Sequence, residues 1–351
     1  MKRAITFFVV LSMLFLTGCG FWMKNERLYV APHREDIKNK TGEIVDVDTY
    51  VQMREALVEK IESGATDLVV SVSSFDKETA DFYVKTAMDY AMNNTPIGAY
   101  AVSSITYEVG TNRGKSVIAF HMEYRHGIGE IMRIKTAEDM DEARNHIETA
   151  LTECEAALVF LVTNYTPVDI PQLVEDYVGE HSDLVMEQPQ VRVAVYPDSG
   201  ERRVVELSFT YQNSRTDLRK MRALVEKVFT SADLYVQQSN AKNKYSRLYS
   251  FLMERNQYTV QTSITPSYSL LHYGVGDSRA FANVYGAMCR RAGLSCKTVY
   301  GTKKGEPYCW NAVNYNGKYY HVDLLECYEN GGFRMRTEKE MSGYVWDYSD
   351  F

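Results

Sequence analysis

Charge of one sign does not dominate this 351-residue sequence. It has 39 basic and 46 acidic residues, which leaves a formal net charge of -7 at pH 7. No run of like charges is long enough to suggest a polyelectrolyte tail. Proteins that bind nucleic acid usually have a strongly basic domain. The composition therefore argues against nucleic acid as a partner.

Metal-binding motifs are also missing. The sequence has no CxxC pair and no Cys/His spacing typical of a zinc site, so we expect neither a metal nor another cofactor. Besides Cys19 there are five cysteines, namely Cys154, Cys289, Cys296, Cys309 and Cys327. In an exported chain this odd number leaves at least one thiol free or paired outside the chain. The spacing does not assign the partners.

Long apolar runs are confined to the beginning of the chain. Lys2 and Arg3 precede the almost wholly apolar stretch 4–15, which is too short for a permanent membrane-spanning helix. The next residues, Leu16-Thr17-Gly18-Cys19, resemble the lipobox of bacterial lipoproteins. An ordinary signal peptide or a short membrane anchor is the alternative.

The lipobox resemblance implies a signal peptide at residues 1–18, cleavage before Cys19 and a diacylglycerol on the Cys19 sulfur. It also implies an extracytoplasmic protein that is lipid-anchored to the bacterial cell membrane. Residues 19–47 are polar and irregular, and we expect them to form a tether.

An internal repeat occupies the middle of the chain. The segment DLVVSVSSF (67–75) aligns with ALVFLVTNY (157–165), and IAFHMEYR (118–125) aligns with VELSFTYQ (205–212). Strict alternation of apolar residues in the second pair predicts strands with one buried face. We therefore predict two duplicated α+β modules, 48–128 and 138–213, each with the order helix, strand, helix, strand, strand. Chance similarity of two small α+β patterns is the alternative.

A cysteine is missing at a decisive position near the C-terminus. The segment GDSRAFANVYGAMCRRAG (276–293) has the pattern of a helix that ends at Gly293. Strands are predicted at 295–301, 308–316 and 318–326, and Asn316-Gly317 is a strong hairpin turn. Helices are predicted before them, at about 217–229 and 245–253.

This pattern resembles the transglutaminase-like superfamily, which has a papain-like fold. The resemblance covers roughly residues 245–351, and with the leading helices we assign 214–351 to this domain. Members have a Cys at the helix start, then His-x-Trp-Asn, then an Asp. Ser278 stands at the Cys position, Tyr308 at the His position and Asp323 at the Asp position. The sequence therefore departs from the family at two of three catalytic positions.

The substitutions change the chemistry of the site. In the family triad, a thiolate with a lowered pKa attacks an amide carbonyl, the His transfers the proton and the Asp orients the ring. A serine needs a general base, and tyrosine stays protonated up to about pH 10. His321 lies two residues before Asp323, so a Ser278–His321 dyad is conceivable. Cys309 should point to the face opposite Tyr308, which argues against it as a relocated nucleophile.

Two functions follow from this reading. In the first, a surface lipoprotein carries a non-catalytic transglutaminase-like domain that binds peptide, protein or cell-wall ligands, with Trp310 and Asn311 as candidate binding residues. In the second, the domain is an amide hydrolase or acyltransferase of the cysteine-peptidase type that uses Ser278 as its nucleophile. The change of two triad positions together favours the first.

Overall fold

The computed structural model describes residues 44–72, 77–254 and 257–347, and they form an α+β protein. They divide into two compact units, one of residues 44–133 with 196–199 and one of residues 134–195 with 200–347. The predicted signal peptide, Cys19 and most of the predicted tether lie outside the described residues. None of the helices in the described part combines the length and apolarity needed to cross a lipid bilayer.

The first unit is a four-stranded sheet with helices. Its elements are β1 (Ile44–Asp46), α1 (Tyr50–Glu62), β2 (Asp67–Ser71), α2 (Lys77–Asn93), α3 (Pro96–Ala101), β3 (Val102–Asn112), β4 (Lys115–Tyr124) and α4 (Ile128–Ile131). The strand order is β1-β2-β4-β3, and β1 runs parallel to β2. Thr49 caps α1 by accepting a hydrogen bond from Gln52 N.

The second unit begins with a sheet of the same strand order. Its elements are β5 (Lys135–Asp139), α5 (Met140–Thr152), β6 (Ala157–Asn164), α6 (Ile170–Glu180), β7 (Gln190–Tyr196) and β8 (Arg203–Thr210). The order is β5-β6-β8-β7, and β5 runs parallel to β6. Each sheet thus has an initial strand that was not predicted from the sequence. The first of them, β1, falls within the segment 19–47 that was predicted as a tether.

The remaining elements of the second unit form its C-terminal part. They are α7 (Arg215–Val236), α8 (Ala241–Met253), β9 (Thr259–Val260), α9 (Pro266–Tyr268), a π-helical turn (Ser269–Tyr273), β10 (Val275–Gly276), α10 (Ser278–Arg291), β11 (Cys296–Lys303), β12 (Glu306–Tyr315), β13 (Lys318–Val322), α11 (Leu324–Glu329), a 3₁₀ turn (Glu338–Glu340) and β14 (Tyr344–Trp346). Helix α10 is buried from Ala280 to Cys289 and contributes to a hydrophobic core shared with α7 and α8.

The sheet that carries the predicted site has the order β13-β12-β11-β14. The predicted turn joins β12 to β13, and both Asn316 and Gly317 have positive φ. Strand β14 lies close to β11 at Gly301, where an added Cβ would come within 2.3 Å of the Val345 carbonyl oxygen. This close approach explains the glycine.

The strand predicted at 318–326 is too long. Strand β13 ends at Val322, because Asp323 begins helix α11 by accepting a hydrogen bond from Glu326 N at 3.1 Å. A side chain that satisfies an otherwise unpaired amide at the first turn favours a helix over continued strand. Asp323 is therefore a helix cap rather than a strand residue.

Candidate functional site

The first turn of α10 carries the residue at the nucleophile position. The Asp277 carboxylate accepts a hydrogen bond from Ala280 N at 2.9 Å and so caps the helix. Ser278 Oγ accepts a hydrogen bond from Cys309 N–H at 3.2 Å, which joins the helix start to β12. Among the described residues, Cys309 N is the hydrogen-bond partner of Ser278 Oγ.

Ser278, Tyr308 and Asp323 line one pocket, together with residues of α10 and β12. The structure thus brings together the three positions that the sequence aligned with the family triad. The pocket encloses no volume that a water molecule could occupy. A substrate amide could not enter it without movement of the lining side chains.

The Asp323 side chain is almost completely buried and has four hydrogen-bond donors. Tyr308 Oη donates to Oδ1 at 3.0 Å, alongside the α11 amide of Glu326. Lys303 Nζ donates to Oδ2 at 2.8 Å, and Tyr344 Oη lies 2.6 Å from the same oxygen. A carboxylate with this many donors has little remaining capacity to orient a further group.

Charged residues surround the Asp323 carboxylate in a network that was not predicted from the sequence. Arg336 makes two hydrogen bonds to the Glu326 carboxylate, at 2.8 and 2.6 Å. Tyr344 Oη also contacts Glu326, and Lys303 Nζ lies 3.5 Å from Glu326 Oε2. Arg336 and Tyr344 lie 10 and 18 residues after Glu326, and Lys303 lies 20 residues before Asp323. These spacings match no motif, so the network was not predicted.

Tyr308 is unsuited to take up a proton as a general base. Burial raises the pKa of its hydroxyl far above 10, and the adjacent Asp323 carboxylate raises it further. The Lys303 ammonium lies 4.6 Å from the centre of the Tyr308 ring, a cation–π contact. Tyr308 therefore stays protonated and donates its hydrogen bond to Asp323 over the whole physiological pH range.

His321 has a structural partner and does not line the pocket of Ser278. Its Nδ1 accepts a hydrogen bond from Trp310 Nε1–H at 3.0 Å, and its ring lies 4.8 Å from that of Trp346. Burial lowers the pKa of His321, so the ring is neutral with its proton on Nε2. The structure gives no support to the Ser278–His321 dyad.

Trp310 and Asn311, the predicted binding residues, are fully buried. The Trp310 ring packs against Tyr344 and Trp346 at 5.1 and 5.6 Å. Asn311 Nδ2 donates to the Ala282 carbonyl at 2.8 Å and so ties β12 to α10. Both side chains maintain the packing of the sheet and the helix.

Cys309 lines the same pocket as Ser278 but has an unreactive environment. Burial raises the pKa of its thiol to about 11, although Arg279 lowers it in part. A thiol with this pKa is almost entirely protonated at neutral pH, and the thiolate is the nucleophilic form. Cys309 is thus no substitute for the missing cysteine.

A larger cavity also adjoins the α10 start. It has a volume of about 420 Å³ and is lined by Asp277, Arg279 and Asn283 of this region and by parts of the segment 182–190 and of the loop 262–267. Ser182 Oγ and Asn283 Oδ1, which belong to residues of this wall, are buried and have no hydrogen-bond partner among the described residues. Its size is in the range of small-ligand pockets.

Metal ligands do not cluster in the described ranges. Over residues 44–72, 77–254 and 257–347, no group of three His, Cys, Asp or Glu side chains is placed to hold a metal ion.

Comparison with known proteins identifies the C-terminal region. Residues 211–324 match the family model of the transglutaminase-like superfamily, so the chain contains a transglutaminase-like domain. No curated protein matches the chain at a significant level.

Two solved structures resemble the chain weakly. A transglutaminase structure is 12% identical over 62% of the chain, with a TM-score of 0.29. A proposed protease from Parabacteroides distasonis is 9% identical over 73% of the chain, with a TM-score of 0.23. The alignments cover 64% and 40% of those proteins, so the chain spans less than two thirds of either.

Proposed function

Given a transglutaminase-like domain at residues 211–324, we propose that the protein is a surface lipoprotein whose domain has no catalytic activity and binds a peptide, a protein or cell-wall material. The observation that carries this proposal is the bonding of Asp323. In a working triad this carboxylate would orient an imidazole. Here it is bound by Lys303, Tyr308, Tyr344 and the Glu326 amide.

The bonding of Ser278 supports the same conclusion. Its hydroxyl accepts a hydrogen bond from Cys309 N–H, and the adjacent Tyr308 cannot act as a base. The charge of Asp277 at the start of α10 further opposes an alkoxide at position 278. A serine without a base in reach is a weak nucleophile.

A serine-reactive fluorophosphonate probe tests the catalytic part of the proposal. We expect no labelling of the purified protein, with the Ser278→Ala variant as the matched control. Labelling of the wild type that Ser278→Ala abolishes would instead support the second function, an amide hydrolase or acyltransferase that uses Ser278.

We place ligand binding in the cavity of about 420 Å³ beside the α10 start, because the pocket at Ser278 has no room for a molecule the size of water. Its wall contains amide and hydroxyl groups, including Gln188, Gln190 and Thr262, beside apolar side chains and the charged Asp277 and Arg279. Such a lining suits polar ligands with some apolar surface, as peptides and glycan-linked peptides are.

Cosedimentation with purified peptidoglycan and affinity selection from a random peptide library test the binding. Thr262→Trp should fill the cavity and reduce binding at least tenfold. Gln261→Trp is the control, because Gln261 is the exposed neighbour and does not line the cavity. Equal binding by the two variants would show that the ligand binds elsewhere, and no binding to either material would count against the binding function.

The proposed location rests on the sequence around Cys19. We propose that Cys19 becomes the lipidated N-terminus and holds the protein on the outer side of the cell membrane. Cys19→Ala should block processing, so that the precursor mass persists. A mature wild-type protein whose Cys19 lacks the mass of a diacylglycerol would contradict this anchoring.

We further propose that the two N-terminal modules arose by duplication. The common order β1-β2-β4-β3 and β5-β6-β8-β7 supports this origin, as does the parallel first strand pair in each sheet. Superposition of the two sheets over all four strands tests it. A good fit of two strands only would favour chance similarity.

A further inference from the structure

Two buried polar side chains line the cavity of about 420 Å³ beside the α10 start. Asn283 lies on α10, and Ser182 follows the end of α6. Both residues are more than nine-tenths buried, with exposed fractions of 8% and 6%. Among the described residues, neither Asn283 Oδ1 nor Ser182 Oγ has a hydrogen-bond partner. Because buried polar atoms in folded proteins are nearly always bonded, this pair indicates a place where a ligand group completes the bonding.

The charged residues of the same wall already have partners. Arg279 Nη2 donates to a Glu175 carboxylate oxygen at 2.8 Å, and Asp277 caps α10. The buried Glu187 carboxylate accepts three hydrogen bonds from N–H groups of residues 212–213. In the buried part of the wall, the bonding capacity that remains is therefore uncharged. It consists of one carbonyl oxygen, which accepts, and one hydroxyl, which can donate.

We propose that the cavity binds the acetamido group of an N-acetylated amino sugar. The acetamido N–H donates to Asn283 Oδ1, and the acetamido carbonyl accepts from the Ser182 hydroxyl. The acetyl methyl group packs against the apolar part of the wall, which is formed by Val178, Val185, Ile264, Ala280 and Val284. This inference rests on the proposed ligand-binding function of the cavity and narrows its ligand to a glycan.

A single acetamido group fits the wall better than a peptide backbone does. An extended peptide presents an amide about every 3.3 Å, so it needs a row of bonding partners. Within the described residues, the buried wall leaves one acceptor and one hydroxyl for such bonds. Gln188, Gln190 and Thr262 also line the cavity and are exposed. Their amide and hydroxyl groups can bond the hydroxyl groups of a sugar ring.

Aromatic rings follow the cavity loop in the chain. The loop 262–267 leads into α9 and the π-helical turn, where the Tyr268 and His272 rings stack with centroids 5.1 Å apart. Tyr273, at the end of the turn, is 64% exposed. Sugar rings have apolar C–H faces that pack against aromatic side chains, whose polar tips stay hydrated. This exposed aromatic turn therefore also favours a glycan over a peptide.

Binding of matched trisaccharides to the purified protein tests the acetamido site. The probes are the trimers of N-acetylglucosamine, of glucosamine and of glucose with the same linkages, and isothermal titration calorimetry gives the Kd of each. We expect the acetylated trimer to bind at least tenfold more tightly than either of the others, because only its acetamido group satisfies both buried atoms. Equal affinities, or no binding of the acetylated trimer, would refute the inference.

Variants of the two buried residues test their roles. Asn283→Leu and Ser182→Ala should each weaken binding of the acetylated trimer at least tenfold. Ser231→Ala is the control, because Ser231 is exposed on α7 and does not line the cavity. Asn283→Leu should not unfold at a lower urea concentration than the wild type, since it removes an unpaired buried polar group. Undiminished binding by both cavity variants would overturn the assignment of Asn283 and Ser182.

A peptide ligand is the outcome that separates this inference from the proposed function. Peptides that bind the wild type but not Thr262→Trp, together with no binding of the acetylated trimer, would show a peptide site in the cavity. The inference would then be wrong, and the binding function of the cavity would stand. Failure of both the peptides and the trimer to bind would count against the inference and the binding function together.

Discussion

Restoring the missing triad residues provides the sharpest test of the site. We consider Ser278→Cys and Tyr308→His, alone and together, in a background with Cys309→Ala. A cysteine at position 278 starts from an ordinary thiol pKa of about 8.5. The helix N-terminus contributes about 0.3–1 kcal/mol, or less than one pKa unit. Burial opposes the effect of the helix N-terminus, since it raises the pKa of the neighbouring Cys309 thiol to about 11. The thiol of the single Ser278→Cys variant should thus titrate near or above its ordinary pKa.

The double variant should behave differently. Tyr308 Oη is 3.0 Å from Asp323 Oδ1 and Tyr308 lines the pocket of Ser278, so we expect an imidazole at position 308 to lie between the two. A paired imidazolium lowers a thiol pKa to about 3–4 in papain-like sites. Lys303 competes for Asp323 here, so we expect a smaller fall, of at least about one unit.

The assay is the rate of iodoacetamide alkylation at residue 278 against pH, followed by mass spectrometry of its peptide. Adding Lys303→Met to the double variant should lower the midpoint further, because it removes the cation that competes with the imidazole for Asp323 and leaves Tyr344 as the donor to Oδ2. Equal midpoints in the single and double variants would mean that residue 308 does not face residue 278. The alignment of β12 with the family triad would then be wrong.

Three further predictions concern the network around Asp323 and His321. Lys303→Met should lower the free energy of unfolding in urea by about 1–3 kcal/mol, because it leaves the buried Asp323 carboxylate without its cation, although part of Lys303 is solvated. The exposed Lys318→Met is the control, and an equal loss of stability in both variants would refute the argument. Burial lowers the pKa of His321, so the folded state binds fewer protons than the unfolded state, and the free energy of unfolding falls as pH drops below about 6.5. His321→Gln should flatten this part of the stability profile against pH, and an unchanged slope would contradict the prediction. Because the pKa of Tyr308 is raised, its contribution to stability is fully present below about pH 10 and is lost as pH rises above that value. Tyr308→Phe should reduce this alkaline loss of stability, and an undiminished loss would contradict the prediction.

Local sequence signals predicted the framework of the C-terminal domain. Asn316-Gly317 marks a hairpin turn because both residues tolerate positive φ, and the apolar spacing before Gly293 marks α10. These features depend on neighbours in the chain. The resemblance to the family, rather than these local signals, identified Ser278, Tyr308 and Asp323, which line one pocket.

Features that depend on distant residues were not predictable. Strand β1 has three residues and pairs in parallel with β2, so it has no periodicity to read. Lys303 reaches Asp323 only because β11 and β12 fold back on each other. The hydrogen bond from Trp310 to His321 likewise crosses two strands. Without these contacts, His321 looked available for catalysis.

The bonding of Asp323 also affects how this part of the domain opens. One buried carboxylate connects β11 through Lys303, β12 through Tyr308, α11 through the Glu326 amide and β14 through Tyr344. None of these segments can detach alone without leaving the carboxylate short of a donor, which is costly in a buried position. Short β14 is therefore protected from fraying by a side-chain contact rather than by its length. Amides of β14 and of α11 should exchange with solvent deuterium through one common opening.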